Sequence, residues 1–311
     1  MGATRALDLI CRNLMPASAP ESQALIRIFL LTLLTMTAFA GNSLLCRLAL
    51  RETTIDAASF TGIRLLSGAL MLALLVFLFR RDRPGRGSWL SALALFAYAA
   101  GFSWAYLSLS AGTGALILFA AVQTTMIGAG LWKGERLRGL QWLGLLLALG
   151  GLVGLLLPGL AAPPLIGASL MLLAGIAWGI YSLRGRQGGD PTRVTAGNFL
   201  LALPFALLLS LVNFRHAHWD LTGAGYALAS GALASGLGYA LWYSVLPALK
   251  PTTAATVQLS VPVIAALGGL LFLGEALTPR LLLASATILG GIALVILSGK
   301  SARPHLKSDT R

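Results

Sequence analysis

Long apolar runs separated by short polar breaks set the pattern of this chain. The runs lie at roughly 24–48, 57–79, 88–110, 113–133, 139–157, 165–184, 195–213, 222–245, 252–273 and 280–298. About 20 helical residues, at about 1.5 Å each, cross the hydrocarbon core of a bilayer. Each run meets or approaches that length, which predicts ten transmembrane helices. Residues 1–25, with Pro16 and Pro20, contain no long apolar run, and residues 299–311 form a second polar tail.

The last two runs, from Pro251 to Leu297, are split by Gly274-Glu275-Ala276-Leu277-Thr278-Pro279. A stretch from about Gly112 to Leu157 has the same layout. Gly134-Glu135-Arg136-Leu137 lies over Gly274-Glu275-Ala276-Leu277, and without a gap Leu149-Gly150-Gly151 falls on Leu289-Gly290-Gly291, both 140 residues on. A fixed shift of nearly half the chain predicts a duplication, with five spans in 26–158 and five in 165–298. An odd number of spans makes the second copy enter the membrane from the opposite side. The expected fold is therefore an all-α polytopic membrane protein of ten transmembrane helices in two inverted five-helix repeats. Secondary transporters recur in this architecture, with the substrate site near midplane between the halves.

Composition agrees with a bilayer: 57% of residues are hydrophobic and 11% charged, far from the balance of a soluble domain. The net charge of +13 does not point to nucleic acid, because the Lys and Arg residues sit in the breaks rather than on a basic face with interleaved aromatics. With the N-terminus inside, alternate loops and both tails hold 18 of them and the other side only Arg47, Arg51, Arg215 and Arg280. This bias predicts that both termini face the cytoplasm. Ala38-Phe39-Ala40 has the form of a signal-peptidase site, but cleavage would leave the first half one helix short. Cys11 and Cys46 make no disulfide or metal framework, and His216-Ala-His218, without a further ligand, reads as a solvated loop, as His305 reads as tail. No cofactor and no metal are expected.

All ten acidic residues fall in tails, breaks or span ends. A chain with no carboxylate or histidine at midmembrane lacks the usual signature of proton or sodium coupling and the acid, base or nucleophile of an intramembrane enzyme. Glu135 and Glu275 would lie on opposite faces, either pairing with Arg136, Arg138 or Arg280 to anchor a gate, or meeting unsatisfied amides at the start of the next helix. Thr278 and Pro279, as cap and first helical residue, favour the structural role. Arg64 is the one cation inside a span; it either snorkels to the interface or faces a polar cavity, where a carboxylate would be its partner.

The candidates for substrate contact are polar and aromatic residues near midspan. Asn42 in the first span and Trp178 with Tyr181 in the sixth lie at related points, since Ala40-Gly41-Asn42 overlays Ala177-Trp178-Gly179 at a shift of 137, which also brings Arg47 onto Arg184. Tyr98 and Trp104 come from the third span, Tyr239 and Trp242 from the eighth, Gln123 from the fourth and Gln258 from the ninth. Tyr106 and Tyr243, nearer span ends, read as headgroup-belt residues. The fifth and tenth spans, with Gly150, Gly151, Gly154, Gly290 and Gly291 and almost no polar side chains, read as packing or dimerisation helices away from the pathway.

These features together resemble the EamA-type branch of the drug/metabolite transporter superfamily: two five-span halves, Ala40-Gly41-Asn42 answering Ala177-Trp178-Gly179, Arg64 in the second span, Pro262 thirteen residues before Glu275, and the Gly-Glu break in both halves. The resemblance runs from about 24 to 298. Val122 stands where the second half has Pro262, and Gly41-Asn42 where the family commonly has Trp-Gly. The resemblance implies export or exchange of small metabolites across a bacterial inner membrane, through a cavity lined mainly by the first four helices of each half, and exchange of which inverted half is open supplies alternating access. The chain is most similar to amino-acid exporters. Its aromatic wall suits apolar or aromatic amino acids, with drugs or other metabolites as the alternative cargo and an enzyme or a scaffold as the readings of another class. The expected partners are the small-molecule substrate and the lipid bilayer, for a monomer or homodimer.

Overall fold

The computed structural model describes residues 21–79, 84–159, 162–185, 189–249 and 251–298. Most of the N-terminal tail and all of the C-terminal one, with Cys11 and His305, lie outside them. So do Arg5, Arg12, Arg80, Arg81, Arg83, Arg186, Lys250, Lys300, Arg303, Lys307 and Arg311.

Each apolar run forms a helical span: Glu21–Glu52, Ala57–Phe79, Trp89–Tyr106, Ala111–Trp132, Gly139–Leu156, Leu165–Arg184 and Pro191–Val212 for the first seven, and Pro279–Ser298 for the tenth. The eighth is composite, with a π-helical Ser230–Leu237 between Leu221–Ala229 and Gly238–Val245. The ninth is split into Pro251–Gln258 and Ser260–Leu273. Pro262 explains the split: it has no N–H for the Gln258 carbonyl, and its ring clashes there. The fourth span, with Val122 at the matching point, runs unbroken.

Short polar side chains start several spans. Ser88, Ser110, Asp190 and Asp220 accept the amides of Ser91, Thr113, Arg193 and Gly223, which satisfies donors that the first turn leaves free. Thr278 does the same for Leu281 at 3.1 Å, with Pro279 as the first helical residue.

Eight of the ten spans are long and apolar enough to cross a membrane. The third and eighth, rich in tyrosine, tryptophan and serine, are outside that set. The exterior is apolar, with Leu70, Leu146, Leu207 and Leu271 all exposed, whereas Asn42, Arg64, Gln123 and Asn198 are buried. Continuous apolar cover of this extent is stable against lipid tails, not water. The protein is a multi-pass membrane protein.

The two halves interleave. The first span packs on the eighth and ninth, the sixth on the third and fourth, the second on the seventh, and the fifth on the tenth. Gly144 and Gly291 bring this last pair together; a Cβ on Gly144 would stand 2.5 Å from the Gly291 carbonyl oxygen. The spans alternate between a termini face, where the first begins and the tenth ends, and a far face.

Candidate functional site

Spans one, three and four from the first half and six, eight and nine from the second line a partly open cavity of about 40 Å³, room for a few waters and not for an amino acid. A substrate of that size therefore needs these spans to move apart. The polar part of the wall is Asn42, Ser43, Tyr98, Ser235, Tyr239 and Gln258. The rest is apolar or aromatic: Trp178 stacks on Tyr239 at 5.5 Å between ring centroids and meets Tyr98 edge-on at 4.3 Å. Phe39 closes the wall against Tyr239 at 5.7 Å. The fifth and tenth spans contribute nothing to it.

Four spans meet in one hydrogen-bond chain beside this cavity. Ser230, the first residue of the π-helical segment, donates to Asn42 Oδ1 at 2.6 Å, and Asn42 Nδ2 donates to Tyr98 Oη at 3.1 Å. Arg64 Nη2 donates to the same phenolic oxygen at 2.7 Å. With two donors directed at that oxygen, the Tyr98 proton is left free to donate elsewhere. A π-helical turn widens the helix and often marks a functional position; here it carries Ser230, Ala234 and Ser235 to the site.

Arg64 is 3% exposed. Its guanidinium lies 5.1 Å from the Tyr98 ring centroid and 4.8 Å from that of Phe102, its Nη1 has no partner, and among the described residues no carboxylate pairs with it. It neither snorkels to the interface nor lines the cavity, but stands behind Tyr98. The Tyr239 hydroxyl, on the cavity wall, also has no partner. A buried cation held only by a neutral hydroxyl and two ring faces lacks the counter-charge that normally offsets desolvation.

The opposite half has a neutral counterpart. Thr195 Oγ1 donates to Tyr243 Oη at 3.2 Å, and Asn198 Nδ2 and Thr195 lie 3.5 Å from Tyr181 Oη. Thr61 and Arg64 lie on Thr195 and Asn198 at a shift of 134, so the arginine of one network is an asparagine in the other.

Of the sequence candidates, Asn42, Tyr98, Trp178, Tyr239 and Gln258 line the cavity, and Tyr181 sits beside Trp178. Gln123 is buried without reaching the cavity, Trp242 is buried against Phe39, and Trp104 is half-buried near its span end. None of these three forms part of the wall. Tyr106 and Tyr243 are not belt residues. Tyr106 is fully buried and donates to the Ala111 carbonyl, while Tyr243 is tied to Thr195. A position near a span end implies headgroup contact only on a lipid-facing side, and these rings face inward. Sequence reading missed Phe39, Ser43, Phe102, Ser230 and Ser235; for the small serines the only signal is a polar residue at midspan.

On the far face Glu275 differs from its expected local role. Its carboxylate accepts Arg47 Nε at 3.2 Å and the Ala111 amide, at the start of the fourth span, at 2.8 Å. It does meet a helix-start amide, but one from the other half. Arg47 also donates to the carbonyls of Tyr106 and Leu107 at 2.8 and 3.1 Å. Glu135, its repeat equivalent, is exposed and among the described residues in no ion pair, and neither carboxylate pairs with Arg136, Arg138 or Arg280.

Two aspartates clasp the far-face loops. Asp56 caps its own span through Ala58 and Ser59 and accepts the His218 amide at 2.9 Å, while Asp220 caps the eighth span and accepts Thr54 at 3.1 Å. Burial pushes the Asp56 carboxyl up, but hydrogen bonds from Ser59, His218 and Ala58 outweigh it and hold the group below its ordinary value. The Gly223 amide does most to lower Asp220.

The EamA-like transporter family model matches the chain twice, over residues 26–157 and 165–297. An uncharacterized protein of Pseudomonas aeruginosa is 62% identical over 280 residues, covering 89% of this chain and 98% of its own. The threonine/homoserine exporter RhtA of Escherichia coli is 36% identical over 129 residues, 40% of this chain and 43% of that one. The uncharacterized transporter YoaV of Bacillus subtilis is 23% identical over 248 residues, 75% of this chain and 85% of its own. One solved crystal structure superposes with a TM-score of 0.61 at 20% identity, over 88% of this chain and 99% of the other, a likeness of fold alone.

Proposed function

The chain belongs to the EamA-like transporter family, and on that premise we propose that it exports amino acids with apolar or aromatic side chains across the bacterial inner membrane. Both termini are cytoplasmic in this reading, the repeats are inverted, and the cavity opens to one face at a time. The observation that carries it is the joint cavity, where the Trp178–Tyr239 stack faces a hydroxyl backed by an unpaired buried cation. The stack offers a surface for an apolar side chain and, through its ring faces, for an ammonium group. The carboxylate end is drawn toward Tyr98, whose free proton points to an acceptor and whose neighbour Arg64 lacks an anion. The partial relationship to an exporter of threonine and homoserine supports the amino-acid class, and the aromatic wall favours larger, less polar side chains than those.

No carboxylate or histidine lines the cavity, which supports movement down the substrate gradient without a coupling ion. Purified protein in liposomes, given a panel of radiolabelled amino acids without ion gradients, is expected to show saturable uptake favouring aromatic and branched members. Uptake that appears only when a proton or sodium gradient is imposed refutes the uncoupled reading. No uptake of any amino acid refutes the substrate class and leaves drugs or other metabolites as cargo; chemical conversion of the solute refutes transport in favour of an enzyme.

A further inference from the structure

Building on the alternating-access reading above, we propose that Arg184 and Glu135 are positioning residues of the transport cycle, forming a second ion pair that closes the termini face when the Arg47–Glu275 pair opens the far one. Arg184 is the repeat equivalent of Arg47, 137 residues on, and Glu135 that of Glu275, 140 residues back. The backbone presents both carboxylates alike. Each follows a glycine of positive φ, 90° at Gly134 and 62° at Gly274. Each glutamate amide bonds back to a glycine carbonyl at 3.0 Å, five residues back to Gly130 for Glu135 and six back to Gly269 for Glu275. Each carboxylate also lies over that same glycine, where an added Cβ would meet it at 2.6 or 2.5 Å.

The partners differ between the faces. Arg47 has its glutamate, whereas Arg184 Nε is held by the Ser91 hydroxyl at 3.2 Å, a neutral acceptor. Lys133, Arg136 and Arg138 flank Glu135 in sequence, and none is within ion-pair distance of it. Packing differs in the same sense. Gly268 is buried with its Cβ position 2.5 Å from Leu44, while its equivalent Gly128 is exposed with nothing near. At that level the face without the ion pair lacks the packing of the other, although one turn deeper spans four and six still touch, a Cβ on Gly179 standing 2.7 Å from the Thr125 Cβ. Exchanging a neutral acceptor for a carboxylate strengthens the arginine's hydrogen bond, so the pair forms as the spans close. A carrier with both faces shut exchanges nothing, so the two pairs alternate.

The test uses the full chain in nanodiscs without substrate, with Cys11→Ser and spin labels on Trp132→Cys and Thr253→Cys, both exposed at the termini face; buried Cys46 stays. Glu275→Gln is expected to shift the label pair from long to short distance. Adding Glu135→Gln or Arg184→Gln to it reverses the short-to-long ratio roughly fivefold, the range of one partly exposed ion pair. The charge exchange Glu135→Arg with Arg184→Glu restores the short distance, a rescue that a merely structural role would not give. Unchanged ratios in the single variants, or an exchange no better than either single change, overturn the pair. Because no substrate is present, a shifted distance beside absent amino-acid uptake overturns only the substrate reading, and an unmoved distance beside intact uptake overturns only the pair.

Discussion

The corners at Gly134-Glu135 and Gly274-Glu275 share sequence, a left-handed glycine and a glutamate amide bonded back to the preceding span. They differ in everything beyond. Glu275 holds an arginine of the first span and an amide of the fourth, while Glu135 faces solvent. Local geometry follows local sequence, and the lock depends on how the halves stand against each other. The loops beside these corners sharpen the contrast, because they are clasped on both faces. Asp56 and Asp220 tie the far-face loops, and the Asp190 amide bonds the Pro84 carbonyl at 2.7 Å on the termini face, with Asn198 accepting the Ser88 amide at 2.9 Å. The ion-pair asymmetry thus lies with spans one, four, six and nine, the ones that meet at the glutamate corners.

The largest effect expected is from Gly112→Val, because a Cβ there would stand 2.8 Å from the Ala266 Cα, and backbone cannot yield. Overpacking of about 2–3 kcal/mol is expected to speed hydrogen exchange at the Ala111 and Glu275 amides by roughly 30- to 100-fold. Gly128→Val, which meets open space, leaves those amides unchanged; equal effects of the two would break the comparison.

Next comes Glu275→Gln. Arg47, its side chain 15% exposed in the pair, loses its charged partner at a cost of about 1.5 kcal/mol, seen as about tenfold faster exchange at Ala111. Glu135→Gln changes nothing there. A common loss at both corners is expected for Gly134→Ala and Gly274→Ala, about 1 kcal/mol each from left-handed backbone, read as similar drops in melting temperature; unequal drops would mean the turns are not equivalent. The smallest effect is of pH. The Asp56 carboxyl titrates below its ordinary 3.8, so its contribution is full above that value and fades only as pH falls beneath it. The protection factor of its partner His218 amide stays flat from neutral to about pH 5 and falls only in stronger acid; a fall near neutrality would contradict the clasp.

Much of the fold was legible because bilayer crossing imposes a length and an apolar pattern on each span. Thr278-Pro279 marked the start of the tenth span, whereas the ninth was read as one run, and the consequence of Pro262's missing N–H, a split at Leu259, came only with the structure. The π-helical turn at Ser230 carried no comparable mark: Ser-Gly-Ala-Leu suits a regular helix equally well, and packing on the second span selects the wider turn. Five of the ten substrate-contact candidates line the cavity. Gln123 and Trp242 do not because depth along a span is readable from sequence while rotation about its axis is not, in helices whose apolar residues run all round.

The sequence by itself determined the number of spans, the duplication, and the two glycine-glutamate corners, since each rests on local pattern or on residues compared at a constant shift. Only the tertiary structure decided that Arg64, Tyr98, Asn42 and Ser230 form one chain, and that Glu275 rather than Glu135 holds an arginine. The bonds concerned join residues 34, 56, 188 and 228 positions apart. Such pairings come from the relative placement of whole helices, and with two like corners in one chain the same residues admit either face as the closed one.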